Sequence, residues 1–246
     1  MIDPLESARL KWRRGAHHFE TLNREIDAFM ASEPYSIRDG YEDEGGWYLG
    51  FLVIRRDPPS DLSLLAGDAT QNIRATLDHL VCALSGTDCN RTQFPIFTHK
   101  VEYGKHRTTM LRGVSATHQA VIDGLQPFDE PTHPLALLRW FTDHDKHRVF
   151  HAAFARPHNM RVTRPAPYEV DLGPTKFVGP IENGAELFRF RLVPTPEVKM
   201  QVKVEIDLTV GFGEKALSPF DIQDIGARVE HIVEAFADES GPLPPR

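Results

Sequence analysis

The chain has little of what would assign it to a class at a glance. Two cysteines occur in 246 residues, Cys82 and Cys89. Standing at a helix end and in the loop after it, they match neither a disulfide framework nor a zinc-ligand pattern. A reducing, cytoplasmic setting is therefore the default expectation. No apolar run approaches the roughly 20 residues that a membrane-spanning helix needs. The opening MIDPLESARLKWRRG has no apolar stretch of a secretory signal. A soluble protein without a membrane partner is expected. Neither sign of charge is in large excess: 28 Lys and Arg stand against 35 Asp and Glu, for a net charge of −7. That balance speaks against a surface that grips nucleic acid as a whole, since phosphate neutralisation needs clustered cations. Local clusters remain, at Lys11, Arg13 and Arg14, at Lys105, His106 and Arg107, and at Lys146 with Arg148. The first two read as solvated faces.

Also missing are a P-loop, a G-x-S-x-G elbow and a Cys–His nucleophile arrangement. Gly211-Phe212-Gly213 is a fragment of a dinucleotide loop, without its third glycine. No cofactor is expected. Trp12, Trp47 and Trp140 read as core or interface anchors rather than base-stacking platforms.

What is present is periodicity. From Pro4 to about Ala31, apolar residues recur at helical spacing until Pro34 stops them. Tyr35 to Asp57 reads as a β-hairpin turning at Glu44-Gly45-Gly46. Asp61 to Leu84 is a strongly amphipathic helix behind Ser60 or Asp61 as N-cap. Thr87 to Gly113 reads as irregular, a short helix follows at Ser115 to Leu125, and a longer one at His133 to Ala155. Beyond Met160 the pattern turns to strands. Val198 to Val210 alternates strictly, with Glu186 to Val193 as its expected hairpin partner. Pro219 to Asp238 forms a last helix, and residues 241–246 a frayed tail. The expected fold class is α+β, with long helices packed on each other and on a mostly antiparallel sheet. One domain over residues 1–240 is expected, its helical core at 60–155.

The Asp61–Leu84 helix carries function-bearing side chains beside its apolar band. Asp68, Asn72 and His79 fall on one stripe, while Arg74 and Asp78 form an i,i+4 pair. The His133–Ala155 helix places Asp145 on an apolar band, where a carboxylate needs a cationic or multi-donor partner. The sequences GDATQNIRATLDHLVCAL, FPIF, LQPF and LLRWFTDHDKHRVF together resemble a recurrent, uncharacterised bacterial family. In that family a GDxxxNxRxxLDHL helix is paired with a later DKHR. The resemblance covers roughly residues 60 to 150 and implies a shared fold and polar site, without an activity. Arg74 to His79 also resembles the R-x4-H pattern of the HEPN superfamily, many of whose members are metal-independent ribonucleases. That resemblance implies a homodimer acting on RNA, with Arg74 stabilising phosphorane charge and His79 moving a proton.

Three readings follow from these residues. In the first, Asp68, Asn72, Arg74, Asp78 and His79 interlock with Asp145, His147 and Arg148 in a structural hydrogen-bond network between two helices. In the second, the same cluster binds a small anionic or phosphate-bearing ligand. In the third, Arg74 and His79 are catalytic. His144, His147 and His151, with Asp143, share a helical face at a spacing that suits a divalent metal. The adjacent Lys146 and Arg148 oppose a cation there, so no metal is expected.

Overall fold

A computed structural model describes residues 5–86, 89, 91–145, 152–154, 159–164, 166–174 and 180–237. Among them are six helices: α1 (Glu6–Ala31), α2 (Asp61–Ser85), α3 (Lys100–Met110), α4 (Ala116–Gly124), α5 (Pro134–Asp145) and α6 (Pro219–Ala237). The strands are β1 (Tyr35–Glu42), β2 (Trp47–Ile54), β3 (Ala152–Phe154), β4 (Asn159–Thr163), β5 (Glu169–Leu172), β6 (Glu186–Val193), β7 (Lys203–Asp207) and β8 (Val210–Phe212). All pairings between these strands are antiparallel. The chain is α+β.

It divides into two compact units. The first comprises residues 1–22, 64–150 and 220–246 and is helical. Its core joins Leu5 and Ala8 of α1, Ile73, Leu77, Leu80 and Val81 of α2, Leu135 and Leu138 of α5, and Ile225, Val229 and Ile232 of α6. These are the positions that the 3.6-residue repeat places inside. α1 and α2 approach closely because Gly15 has no side chain. A Cβ there would stand 2.9 Å from Ile73 Cγ1 and 3.2 Å from the Ala69 carbonyl oxygen. Trp12 donates from Nε1 to the Gly226 carbonyl at 3.2 Å, tying α1 to α6. Ser115 caps α4 by accepting from the His118 amide.

The second unit comprises residues 23–63 and 151–219. It holds a four-stranded sheet of order β1-β2-β6-β5 and two ribbons, β3-β8 and β4-β7. The β1–β2 turn follows its sequence signal: Gly45 and Gly46 take φ of +91° and +66°, values that glycine reaches without cost. Gly50 lies opposite Phe188 in the β2–β6 register, and the Phe188 ring fills the space a Cβ would take.

Three expectations need correction. Thr87 to Gly113 is not wholly irregular, since α3 lies within it. The helix expected to reach Ala155 is helical only to Asp145, and Ala152–Phe154 pairs with β8 as a strand. Val198 to Val210 is not one strand paired with Glu186–Val193. β6 is flanked by β2 and β5, so both of its edges are taken. Within Val198 to Val210, Lys203–Asp207 pairs with β4 and Val210 opens β8, which pairs with β3.

Candidate functional site

The polar residues of α2 do not converge on one point. They divide by helical phase into three groups. Arg74 and Asp78 form the first, an ion pair at 3.1 Å whose side chains are 13% and 31% exposed. Both reach the same backbone unit. Arg74 Nη2 donates to the Phe94 carbonyl at 2.7 Å, and the Phe94 amide donates to Asp78 Oδ1 at 2.9 Å. The pair thus reads both hydrogen-bonding groups of one residue in a segment that has no ladder of its own.

The rest of that segment is satisfied in the same way. Gln126, only 3% exposed, accepts from the Phe97 amide at 3.1 Å and donates to the Pro95 carbonyl at 2.9 Å. Arg139 on α5 donates to the Ile96 carbonyl at 2.6 Å and lies over the Phe97 ring, 4.7 Å from its centroid. Phe94, Ile96 and Phe97 are buried, so their backbone groups could not be left bare without loss of stability. Phe94–Phe97 is therefore a strap held by side chains from α2, from the turn after α4 and from α5. Gln126 and Arg139 were not singled out in the sequence. Their signal was in the LQPF and LLRW strings, as a long polar side chain next to a proline or on an apolar helix.

The second group is His79, half-buried, whose Nδ1 lies 2.6 Å from Ser7 Oγ on α1. The third is Asp68 and Asn72. Asn72 donates to the Asp68 backbone carbonyl at 2.8 Å, along the helix rather than across to a partner. Asp68 is exposed and acts on His18 of α1. Burial and Arg14 lower the pKa of that imidazole, and the Asp68 charge opposes them.

Asp145 is the last residue of α5. His147 and Arg148 lie outside the described residues, as do His151 and Lys146. Of the suggested metal ligands, Asp143 and His144 are described; Asp143 pairs with Arg139 at 3.4 Å. The Nδ1 of His144 is 2.7 Å from the Trp140 carbonyl oxygen, and its ring lies against the indole at 4.6 Å. Among the described residues no group of three or more His, Cys, Asp or Glu is placed to hold a metal ion. No described helix is long and apolar enough to cross a membrane.

Of the basic clusters, Lys105-His106-Arg107 is partly committed. Arg107 grips Asp123 through two bonds of 2.7 and 2.8 Å, and Tyr103 donates to the same carboxylate. The Arg107 hydrogen bonds hold Asp123 below the usual carboxylate range. The phenol of Tyr103 is pushed up by burial and by its bond to that anion. This triad fastens α3 to α4.

The electrostatic anomaly of the unit is Arg74. Burial lowers its pKa, Asp78 and Asp143 oppose that, and Arg139 reinforces it. Its Nη1 is buried and has no hydrogen-bond acceptor among the described residues. Nearby, Gln71 on α2 donates to the Thr142 carbonyl on α5 at 3.4 Å, so the α2–α5 face is closed on one flank by a direct bridge. Compared with known proteins, the chain matches no family model, no curated protein and no solved structure.

Proposed function

We propose that the α2–α5 face of the helical unit binds a small anion, a phosphate or a carboxylate, through Arg74. The observation that supports this reading is the buried Nη1 of Arg74, which lacks an acceptor among the described residues. A buried N–H without an acceptor destabilises the fold by about 1–3 kcal/mol, and an anionic oxygen placed there removes that cost. Arg139 is a second cation within electrostatic reach of Arg74, itself paired with Asp143 at 3.4 Å. With Nη2 engaged by Asp78 and the Phe94 carbonyl, Nη1 offers an oxyanion one charge-assisted hydrogen bond.

The test is thermal unfolding of the full chain during titration with inorganic phosphate, and separately with acetate, at constant ionic strength. Saturable stabilisation is expected with at least one of them. It should be lost in Arg74→Lys, which keeps the charge and loses the planar guanidinium that fixes Nη1. Absence of saturable stabilisation by either anion refutes the reading.

The ribonuclease reading has one supporting observation. With Nδ1 held by Ser7, the half-buried His79 keeps Nε2 for a substrate proton. Arg74 gives it no support, because Nη2 is engaged by Asp78 and the Phe94 carbonyl. Cleavage of single-stranded RNA by the wild type, lost in His79→Ala, would establish it. No cleavage above the level of His79→Ala would dismiss it.

A further inference from the structure

Cys82 and Cys89 are within bonding contact of one another. Cys82 is on the last turns of α2, Cys89 is in the loop beyond, their Cα atoms are 4.9 Å apart, and their sulfurs are joined as a disulfide. Spacing alone argued against such a pair. It becomes feasible because α2 ends just before Gly86, whose φ of +77° is the left-handed conformation that stops a helix. Cys89 is exposed and Cys82 half-buried, so the bond can be reached by a small thiol on one side.

The bond also has a defined place in the unit. Cys89 begins a turn in which its carbonyl accepts from the Thr92 amide at 3.2 Å and from Thr92 Oγ1 at 2.9 Å. The next residue, Gln93, donates from its amide to the Met110 carbonyl at 3.1 Å. Then comes Phe94, held by Arg74 and Asp78. The disulfide therefore anchors the entry of the strap to the same helix that grips its first buried residue.

We infer that Cys82 and Cys89 form a reversible dithiol–disulfide site, oxidised by a low-molecular-weight disulfide such as glutathione disulfide, that latches the segment leading into the Phe94–Phe97 strap onto α2. The exchange balances without another oxidant. The Cys89 thiol loses its proton, and its sulfur attacks one sulfur of glutathione disulfide, releasing one glutathione thiolate. The Cys82 thiolate then displaces the second glutathione from the mixed disulfide. The protein gives up two electrons and two protons, and two glutathione thiols are formed. Reduced glutathione reverses both steps. The pair is suited to reversal because one of its sulfurs faces solvent, unlike a disulfide sealed in a core.

The experiment uses the full chain equilibrated in glutathione buffers from fully reduced to fully oxidised. Samples are quenched in acid, alkylated and analysed by mass spectrometry, with amide hydrogen exchange measured at both extremes. Expected are complete interconversion of the dithiol and Cys82–Cys89 forms, and about tenfold faster exchange at the Thr92, Gln93 and Phe94 amides in the dithiol form. Cys82→Ser/Cys89→Ser should exchange like the dithiol form in both buffers. Three results each overturn the proposal: a pair that stays reduced in oxidised glutathione, a disulfide that survives excess reduced glutathione, or exchange at those amides that ignores the redox state.

Discussion

Replacing Gln126 by methionine tests the strap directly. Methionine is close in length and volume, so packing around the 3% exposed side chain changes little. What disappears is hydrogen bonding. The Phe97 amide loses its acceptor and the Pro95 carbonyl its donor. The Ile122 carbonyl also loses the Gln126 amide, but keeps the Leu125 amide at 3.2 Å. Two buried backbone groups are thus stranded, and at roughly 1–3 kcal/mol each the expected loss is about 3 kcal/mol. In urea, with a slope of roughly 2 kcal/mol per molar, the midpoint should fall by about 1.5 M. A Trp47→Phe background makes the readout specific, because Trp12 and Trp140 both belong to the helical unit while Trp47 does not. A midpoint shift under about 0.2 M, with the slope unchanged, would mean that the strap does not depend on Gln126. The argument that side chains replace a ladder here would then fail.

Asp78→Asn keeps an acceptor for the Phe94 amide but removes the carboxylate 3.1 Å from Arg74, leaving only the charge of Asp143; a loss of about 2 kcal/mol is expected in the same urea assay, the partial exposure of Asp78 having been discounted. Gly15→Ala drives a methyl group against Ile73 and the Ala69 carbonyl, so about 1–3 kcal/mol should be lost unless α1 and α2 separate. A pH dependence is expected at His133, whose Nδ1 accepts from the Leu135 amide at the start of α5. Burial, then the Arg228 charge, lowers its pKa below the ordinary value of about 6.5. The folded state therefore binds fewer protons than the unfolded one, and the contribution is full above pH of about 6.5 and declines on acidification through the folded-state pKa. Unfolding midpoints across pH 5 to 8 should show that decline, and His133→Asn, a good cap that does not titrate in this range, should reduce it, leaving the part due to His18.

How far the sequence could be read depended on whether a feature carries its own signal. The hairpin was legible because Gly45-Gly46 determines its turn and its second strand, WYLGFLVI, is rich in apolar residues. α2 and α6 were legible because their buried positions repeat every three to four residues. α3 was not, because Tyr103 is its buried residue and one residue makes no period. Its stability comes from Arg107 and Tyr103 on Asp123, sixteen residues or more away in sequence. Val198 to Val210 misled for the opposite reason. Alternation states that a segment can be a strand, not that an edge is free to receive it. With β6 enclosed by β2 and β5, Met200 instead donates its amide to the Tyr48 hydroxyl at 2.9 Å.

The same distinction explains the polar stripe of α2. Arg74 and Asp78 were legible as a pair because an i,i+4 spacing is written in the sequence. Their target was not, because a backbone carbonyl or amide looks the same at every position. Helical phase decides the rest. Five residues at about 100° each separate Arg74 from His79 by about 140° around the helix, and the structure accordingly gives them different neighbours, Phe94 and Ser7. One substrate group facing both within a single chain would have to wrap α2. An anion at Arg74 needs no such reach, because Nη1 and Nη2 belong to one planar guanidinium. Nη2 is fixed by the strap, and that fixation orients Nη1. The clamp on Phe94 and the proposed anion site are thus two uses of one guanidinium. Loosening the strap, by Gln126→Met or by reducing Cys82–Cys89, should weaken anion binding without touching any residue that contacts the anion.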